Sequence, residues 1–239
     1  MDDHDPLALP VRPPTSARPL LGLTVLVVED SRFASEALRL LCLRSGARIR
    51  RADCLKSAHR HLQVYHPSVA IIDIGLRDGS GAELIEELAQ TPQRTNVILG
   101  MSGDPDGRLM AMTAGADGFL DKPVLSLSKF QETILSHLPQ DRQPSGPRPV
   151  SNEKVDPDPI AYHDDLAHMA DIIDGARDDS TLDYVAQFLA GVARSAKDDA
   201  ILNAVTLLEK QRATGKPAGS AMAQLAGLVQ ERLEQKIAM

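Results

Sequence analysis

Acidic, hydroxyl and ammonium side chains follow four apolar stretches that have the composition of buried β-strands. The stretches are 24–28, 70–72, 96–100 and 118–120, and the polar residues that come after them are Glu29 with Asp30, Asp73, Ser102, and Lys122. A strand buried on both faces is apolar along its length, so a polar residue at its end lies in the crevice at the carboxyl edge of the sheet. If the four strands are parallel, these five side chains converge on one spot.

The three carboxylates of this set are like charges that cannot all stay ionised at close range without a cation. Mg²⁺ keeps several waters and takes one or two carboxylates. We therefore expect Asp30 and Asp73, the backbone carbonyl of Gly75 and waters ordered by Glu29 to form an open Mg²⁺ site.

Asp73 beside such a cation has the chemistry of a nucleophile toward phosphorus. Lys122 supplies an ammonium for one phosphoryl oxygen, and the Ser102 hydroxyl donates to another. The expected product is an aspartyl phosphate. Each residue alone also has a structural explanation: Asp73 as a strand-end cap, Lys122 as a solvated loop lysine and Ser102 as a turn former.

Strand and helix patterns alternate from Thr24 onward. Strand patterns cover 24–28, 47–52, 69–73, 96–100 and 118–120, and helix patterns cover 32–45, 55–65, 80–90, 107–114 and 126–137. Single helices between strands require right-handed crossovers. The sequence thus predicts an α/β fold with a doubly wound parallel sheet.

These motifs resemble the receiver domain of two-component response regulators over residues 22–138. The resemblance is carried by Glu29-Asp30, by 73–79, by Ser102-Gly103 and by 115–123. It implies a (βα)5 flavodoxin-like fold and phosphorylation by a histidine kinase or a histidine phosphotransfer protein.

The resemblance also implies roles for single residues. Asp73 matches the phosphoacceptor and the pair Glu29-Asp30 matches the metal-binding acids. Ser102 matches the switch hydroxyl, Phe119 the switch aromatic and Lys122 the lysine of the site. Pro123 matches a residue that is often preceded by a cis peptide bond. The chain departs from the family at Arg77, where a proline is usual, which puts the rigidity of this loop in doubt.

Proline and composition divide the chain into four parts. We predict a disordered leader over 1–20, the receiver over 21–138, a proline-rich linker over 139–159 and a helical output or dimerisation module over 160–239. Four amphipathic helices are expected in the last part, with Ser180 capping the second.

Composition narrows the classes of partner. The formal net charge is −7, and from Val155 to Met239 eight Lys and Arg stand against fourteen Asp and Glu. Because each phosphate contact needs a cation, we expect no nucleic-acid partner and no membrane partner. No stretch is apolar enough to span a membrane and no signal sequence is visible, so a cytoplasmic location is expected. Cys42 and Cys54 are expected to be small buried residues.

The leading interpretation is a signalling switch that is not an enzyme beyond its own phosphoryl transfer and autodephosphorylation. The helical module then passes the signal to an unidentified effector protein or pairs in a homodimer. A DNA-binding transcriptional regulator and a relay intermediate remain open. An enzymatic effector would need a catalytic cluster after residue 140, which is not visible, and a phosphotransfer module would use His163 or His168 without the expected flanking pattern.

Overall fold

The computed structural model of the chain describes residues 13–146, 151–175, 179–214, 217 and 219–235. Its α/β part contains a five-stranded parallel sheet in the order β2-β1-β3-β6-β7. The strands of this sheet are β1 (Thr24–Val28), β2 (Arg48–Ala52), β3 (Val69–Asp73), β6 (Val97–Ser102) and β7 (Gly118–Asp121). The predicted α/β fold with its doubly wound parallel sheet is confirmed.

A short antiparallel hairpin follows β3 directly. It consists of β4 (Gly75–Leu76) and β5 (Gly79–Ser80). Strands of two residues carry no alternation that a sequence pattern can reveal. The sequence analysis had assigned this stretch only to a loop and the beginning of a helix.

One helix follows each strand of the parallel sheet. The hairpin separates β3 from its helix, and a loop separates β7 from α5. The helices are α1 (Arg32–Ser45), α2 (Leu55–Val64), α3 (Gly81–Gln90), α4 (Gly107–Thr113) and α5 (Leu127–Leu135). The ends of α1 show why the boundaries were predictable. The Ser31 hydroxyl accepts a hydrogen bond from the Ala34 amide, and Gly46 ends the helix in the left-handed region at φ 85°.

Both faces of the sheet are buried by helices. Alternate residues of the central strands point to opposite faces, so the sheet contributes to two hydrophobic cores. Val27 and Ile71 pack on the side of α1 and α5, whereas Val28 and Ile72 pack on the side of α2, α3 and α4. This double burial explains why the central strands β1, β3 and β6 are continuous apolar runs, whereas the edge strand β2 is largely exposed and contains three arginines.

Two predicted boundaries differ from the structure. Leu20, assigned to the disordered leader, is fully buried in the core beside α1; residues 1–12 of that leader lie outside the described residues. The described end of the predicted linker also packs on the α/β part, where the Val155 amide donates to the Leu125 carbonyl at 2.9 Å. Both segments contain an apolar residue that gains more from burial than from solvation.

The described residues of the C-terminal part form the helical module, in which four helices are present. They are α6 (Pro159–Gly175), α7 (Asp179–Ala196), α8 (Asp199–Ala213) and α9 (Gly219–Glu234). The described residues of helix α7 begin with Asp179, and Ser180 is the second of them; its predicted capping role stays a prediction. The predicted apolar stripes face one another in a third core, which contains among others Leu166, Met169, Val185, Leu189, Val205, Leu208, Leu225 and Val229.

In the part of the chain that the structure describes, no helix combines the length and apolar character needed to cross a bilayer.

Candidate functional site

The sheet order brings the predicted polar residues to one edge. Strands β1, β3, β6 and β7 are neighbours in that order, and each ends beside one of the predicted site residues. Adjacent strands are about 4.8 Å apart, so β7 lies about 10 Å from β3. Only a long side chain at the end of β7 can bridge that distance, and Lys122 directly follows the last residue of this strand.

The Lys122 ammonium contacts two carboxylates at the centre of the site. Its Nζ lies 2.8 Å from Asp73 Oδ2 and 2.7 Å from Glu29 Oε2. The side chain of Glu29 is fully buried, and those of Asp73 and Lys122 are 7% and 12% exposed. Burial acts to lower the pKa of Lys122, but the charges of Asp73 and Glu29 outweigh it and raise the pKa. Lys122 is therefore a permanent cation of this site.

Glu29, Asp30 and Asp73 form an acidic cluster in which one carboxylate oxygen of each residue lies within 4.8 Å of one oxygen of each of the other two. Burial, with the neighbouring carboxylates, raises the pKa of Glu29 to about 8 despite the opposing charge of Lys122. Burial and the charge of Asp73 likewise raise the pKa of Asp30 to about 7. The three acids and one ammonium leave an excess of negative charge when all are ionised.

This donor set fits a hard divalent cation. Carboxylate oxygens in a partly open site are the ligands that Mg²⁺ takes in proteins, and a bound cation would balance the excess charge of the cluster. Gly75 follows Asp73 closely enough for its amide to donate to Asp73 Oδ1 at 3.4 Å. The residues present are thus suited to the predicted Mg²⁺ site.

Ser102 and Phe119 both lie close to one glycine. A Cβ placed on Gly107, the first residue of α4, would lie 2.8 Å from the Ser102 hydroxyl and 3.7 Å from the Phe119 ring. The hydroxyl accepts a hydrogen bond from the Asp104 amide at 3.0 Å, and the ring is buried. Ser102 therefore lines the site and Phe119 packs behind it; their switch roles stay predictions.

The loop after β7 contains the predicted cis peptide bond, between Lys122 and Pro123. Sequence analysis missed a different backbone constraint at Gly81, where α3 begins. A Cβ there would lie 1.8 Å from the carbonyl oxygen of Asp73. Only glycine permits this approach of α3 to the end of β3, and a glycine at the start of a helix is a weak signal that could have been noticed.

The family comparison decides what this site belongs to. Residues 25–134 match the family model of the response regulator receiver domain. This segment is a response regulator receiver domain. The predicted recognition is confirmed for the α/β part of the chain.

The receiver domain of this chain is similar to about half of each of two regulatory proteins. The KDP operon transcriptional regulatory protein KdpE of Escherichia coli (strain K12) is 29% identical over 126 residues, which are 53% of this chain and 56% of that protein. The transcriptional regulatory protein PhoP of the same strain is 28% identical over 102 residues, which are 42% of this chain and 46% of that protein. The chain thus matches about half the length of these relatives.

Solved structures of receivers are also similar. A response regulator from Chloroflexus aurantiacus J-10-fl has 25% identity and a TM-score of 0.45, covering 48% of this chain and 96% of that one. A CheY-like receiver domain from Methylobacillus flagellatus has 23% identity and a TM-score of 0.44, covering 48% of this chain and 98% of that one.

Three side chains of α7 also line the receiver site, and sequence analysis did not include them. The Tyr184 hydroxyl donates to Asp30 Oδ2 at 2.9 Å. The Gln187 amide packs on Gly75, and the Arg194 guanidinium lies 3.5 Å from the Gly103 carbonyl oxygen. These residues belong to a part of the chain whose apolar periodicity indicates helices but not the surface on which they pack.

Proposed function

We propose that the receiver accepts a phosphoryl group on Asp73 and that the chain acts as a phosphorylation-dependent switch. The observation that supports this most directly is the Lys122 ammonium, 2.8 Å from Asp73 Oδ2 within the acidic cluster. A cation placed there orients the acceptor carboxylate and can afterwards pair with an oxygen of the transferred group. The chain needs no further catalytic group to receive phosphate from a reactive donor.

The proposed step is an in-line displacement. A carboxylate oxygen of Asp73 forms a bond to phosphorus while the bond from phosphorus to the donor nitrogen or oxygen breaks, and the electron pair leaves with the donor. Donors of this class are phosphohistidine proteins and small acyl phosphates. Asp30 and Asp73, with the Gly75 carbonyl and water oriented by Glu29, would hold Mg²⁺, which supplies charge neutralisation for the phosphoryl oxygens.

Phosphorylation of Asp73 is testable by mass spectrometry of the full chain. With acetyl phosphate and Mg²⁺ we expect one added phosphoryl group, which Asp73→Asn abolishes because the amide is a poor nucleophile. Asp121→Asn is the matched control, since Asp121 ends β7 at the same sheet edge but its side chain is 65% exposed. Labelling that persists in Asp73→Asn at the level of the unchanged chain contradicts the assignment.

We propose further that the output of the switch is a protein interaction. The net negative charge from Val155 to Met239 favours a protein partner over DNA. The names of the two relatives above favour the transcriptional alternative, although their similarity to this chain covers about half of each protein. A relay intermediate, the absence of other enzymatic activity and a cytoplasmic location stay predictions.

A pull-down from cell extract, with phosphorylated and unphosphorylated full chain, tests the output. We expect a protein whose recovery depends on phosphorylation. Recovery of specific DNA fragments, retained at physiological salt, would support the transcriptional alternative.

A further inference from the structure

Helices α6 and α7 lie on the surface of the receiver that contains Asp73. We define this acceptor face by the residues around the acidic cluster that the module contacts, which are Asp30, Ser31, Arg32, Phe33, Gly75 and Gly103. Asp73 itself is only 5% exposed. The helical module thus covers the group that the proposed function requires to react.

Asp165 of α6 makes the most buried contact of this interface. Its carboxylate accepts hydrogen bonds from the Ser31 hydroxyl at 2.7 Å, the Arg32 amide at 2.8 Å and the Phe33 amide at 3.0 Å. Asp165 is 2% exposed, and the first turn of α1 contains no acidic residue of its own. A carboxylate at a helix N-terminus satisfies free amides and interacts favourably with the helix dipole. A buried acid with three bonds to the receiver indicates a specific docking position.

Tyr184 of α7 makes a second contact at the functional centre. Its hydroxyl donates to Asp30, which belongs to the acidic cluster. The bond is 2.9 Å long and joins the module to a carboxylate of the predicted Mg²⁺ site. Any rearrangement around Asp30 therefore acts directly on the module.

A cavity of about 200 Å³ remains between the acidic cluster and α7. Since water occupies about 30 Å³ in the liquid, this space accommodates several water molecules or a small phosphorylated molecule. Gln187 and Arg194 lie where a side chain from another protein would have to approach Asp73. The covered face thus distinguishes donors by size.

We infer that the helical module is an intramolecular competitor of protein phosphodonors for the acceptor face of the receiver. A tethered domain acts at an effective concentration on the order of millimolar, so a phosphohistidine protein reaches Asp73 only after α6 and α7 leave. Small acyl phosphates enter without that step. The competition with phosphodonors rests on the proposed phosphorylation of Asp73. The covering of the acceptor face by the module can be measured independently of it.

Thiol accessibility at position 73 tests the covering without phosphoryl transfer. The parent is the full chain with Asp73→Cys and Cys54→Ser; the remaining Cys42 is fully buried. The reagents are N-ethylmaleimide and a maleimide attached to polyethylene glycol of about 5 kDa, chosen to match the size argument. We expect the large reagent to react much more slowly than the small one in this parent.

Two substitutions that loosen the interface should raise the rate with the large reagent. Tyr184→Phe and Asp165→Asn each remove or weaken bonds to charged groups, which shifts an opening equilibrium by about tenfold or more. The matched controls are Tyr65→Phe, which removes a phenol hydroxyl directly after α2 in the receiver, and Asp171→Asn, which changes an exposed acid on α6. Both controls should leave the rate unchanged.

Hydrogen exchange in the otherwise unchanged chain provides the second measurement. The Arg32 and Phe33 amides bind Asp165 and not Tyr184. If the module opens as a unit, Tyr184→Phe accelerates exchange of these two amides about tenfold, whereas Tyr65→Phe does not.

Equal rates for the large reagent in the parent and in both interface variants, with unchanged amide exchange, would overturn the inference. Acceleration by Tyr184→Phe alone would also contradict it, because the phenol would then act only on Asp30. If accessibility changes as expected while acetyl phosphate fails to label Asp73, the covering holds and the proposed phosphorylation is wrong.

Discussion

At the scale of residues, the site is organised by an imbalance of buried charge. Lys122 pairs with Glu29 and Asp73, and Asp30 instead accepts a hydrogen bond from Tyr184. Bringing three carboxylates together costs folding free energy, and one ammonium offsets only part of it. Burial first, and then the charges of the neighbouring carboxylates, raise the pKa values of Glu29 and Asp30.

We predict that Mg²⁺ stabilises the folded chain through this cluster. Binding at ten times the dissociation constant adds about 1.4 kcal/mol to the free energy of unfolding. Thermal unfolding with and without millimolar Mg²⁺, at matched ionic strength with KCl, measures the effect. Asp30→Asn should remove it and Asp121→Asn should keep it. A Mg²⁺-dependent shift of equal size in Asp30→Asn contradicts the assigned site.

At the scale of elements, three helices of the module meet at one acid. Asp198 precedes α8, where it accepts from the Ile201 amide, and it also binds Tyr162 of α6 and Arg232 of α9. Burial acts to raise the pKa of Asp198, but the hydrogen bonds from Arg232, the Ile201 amide and Tyr162 outweigh it and lower the pKa. The carboxylate form thus stabilises the junction of α6, α8 and α9.

We predict that Asp198→Asn destabilises the module by about 1–3 kcal/mol at pH 7, because it removes hydrogen bonds to a charged group. An acid whose pKa is lowered by folding contributes stability above its unfolded pKa, near 3.9, and loses it as the pH falls further. The free energy of unfolding of Asp198→Asn should therefore differ less from that of the unchanged chain at pH 3 than at pH 7. Urea unfolding followed by circular dichroism measures both free energies.

The matched control for this prediction is Asp183→Asn. Asp183 also pairs with an arginine, Arg212 at 2.8 Å, but its side chain is 69% exposed. An exposed pair contributes about 0.2–1 kcal/mol. The expected role of Asp198 is contradicted if Asp198→Asn lowers the free energy of unfolding by no more than Asp183→Asn does. It is also contradicted if the loss of stability in Asp198→Asn is larger at pH 3 than at pH 7.

At the scale of the whole molecule, charge and packing together limit the partner. The buried apolar residues of the helical module face one another and so are not available to a partner. Among the described residues, large exposed apolar side chains are grouped on α4, at Leu109, Met110 and Met112, whereas the module exposes single ones at Ile160 and Leu207. A homodimer stays a prediction that light scattering can test.

We predict that the full chain does not bind duplex DNA at physiological salt. Its formal net charge is −7, and phosphate contacts require a local excess of Lys and Arg. Fluorescence anisotropy with a mixed-sequence duplex, at about 50 and 150 mM salt, should show no salt-dependent binding in either phosphorylation state. Specific binding that weakens as salt rises would favour the transcriptional regulator.

The sequence by itself determined the receiver and those residues of the site that belong to the receiver. Continuous apolar strands identify a sheet covered on both faces, and the order of polar strand ends brings Glu29, Asp73 and Lys122 to one edge. This was predictable because strand period, helix caps and parallel topology are local or nearly local properties of a chain.

Only the tertiary structure decided what covers this site. Asp165 and Ser31 are 134 residues apart in sequence. The apolar periodicity of α6 and α7 indicates which of their side chains face a core, but it does not indicate which domain their other face contacts. The burial of Leu20 and Val155 likewise depends on space left by distant helices. Packing between separate parts of a chain follows from the complementarity of whole surfaces, which short-range periodicity does not encode.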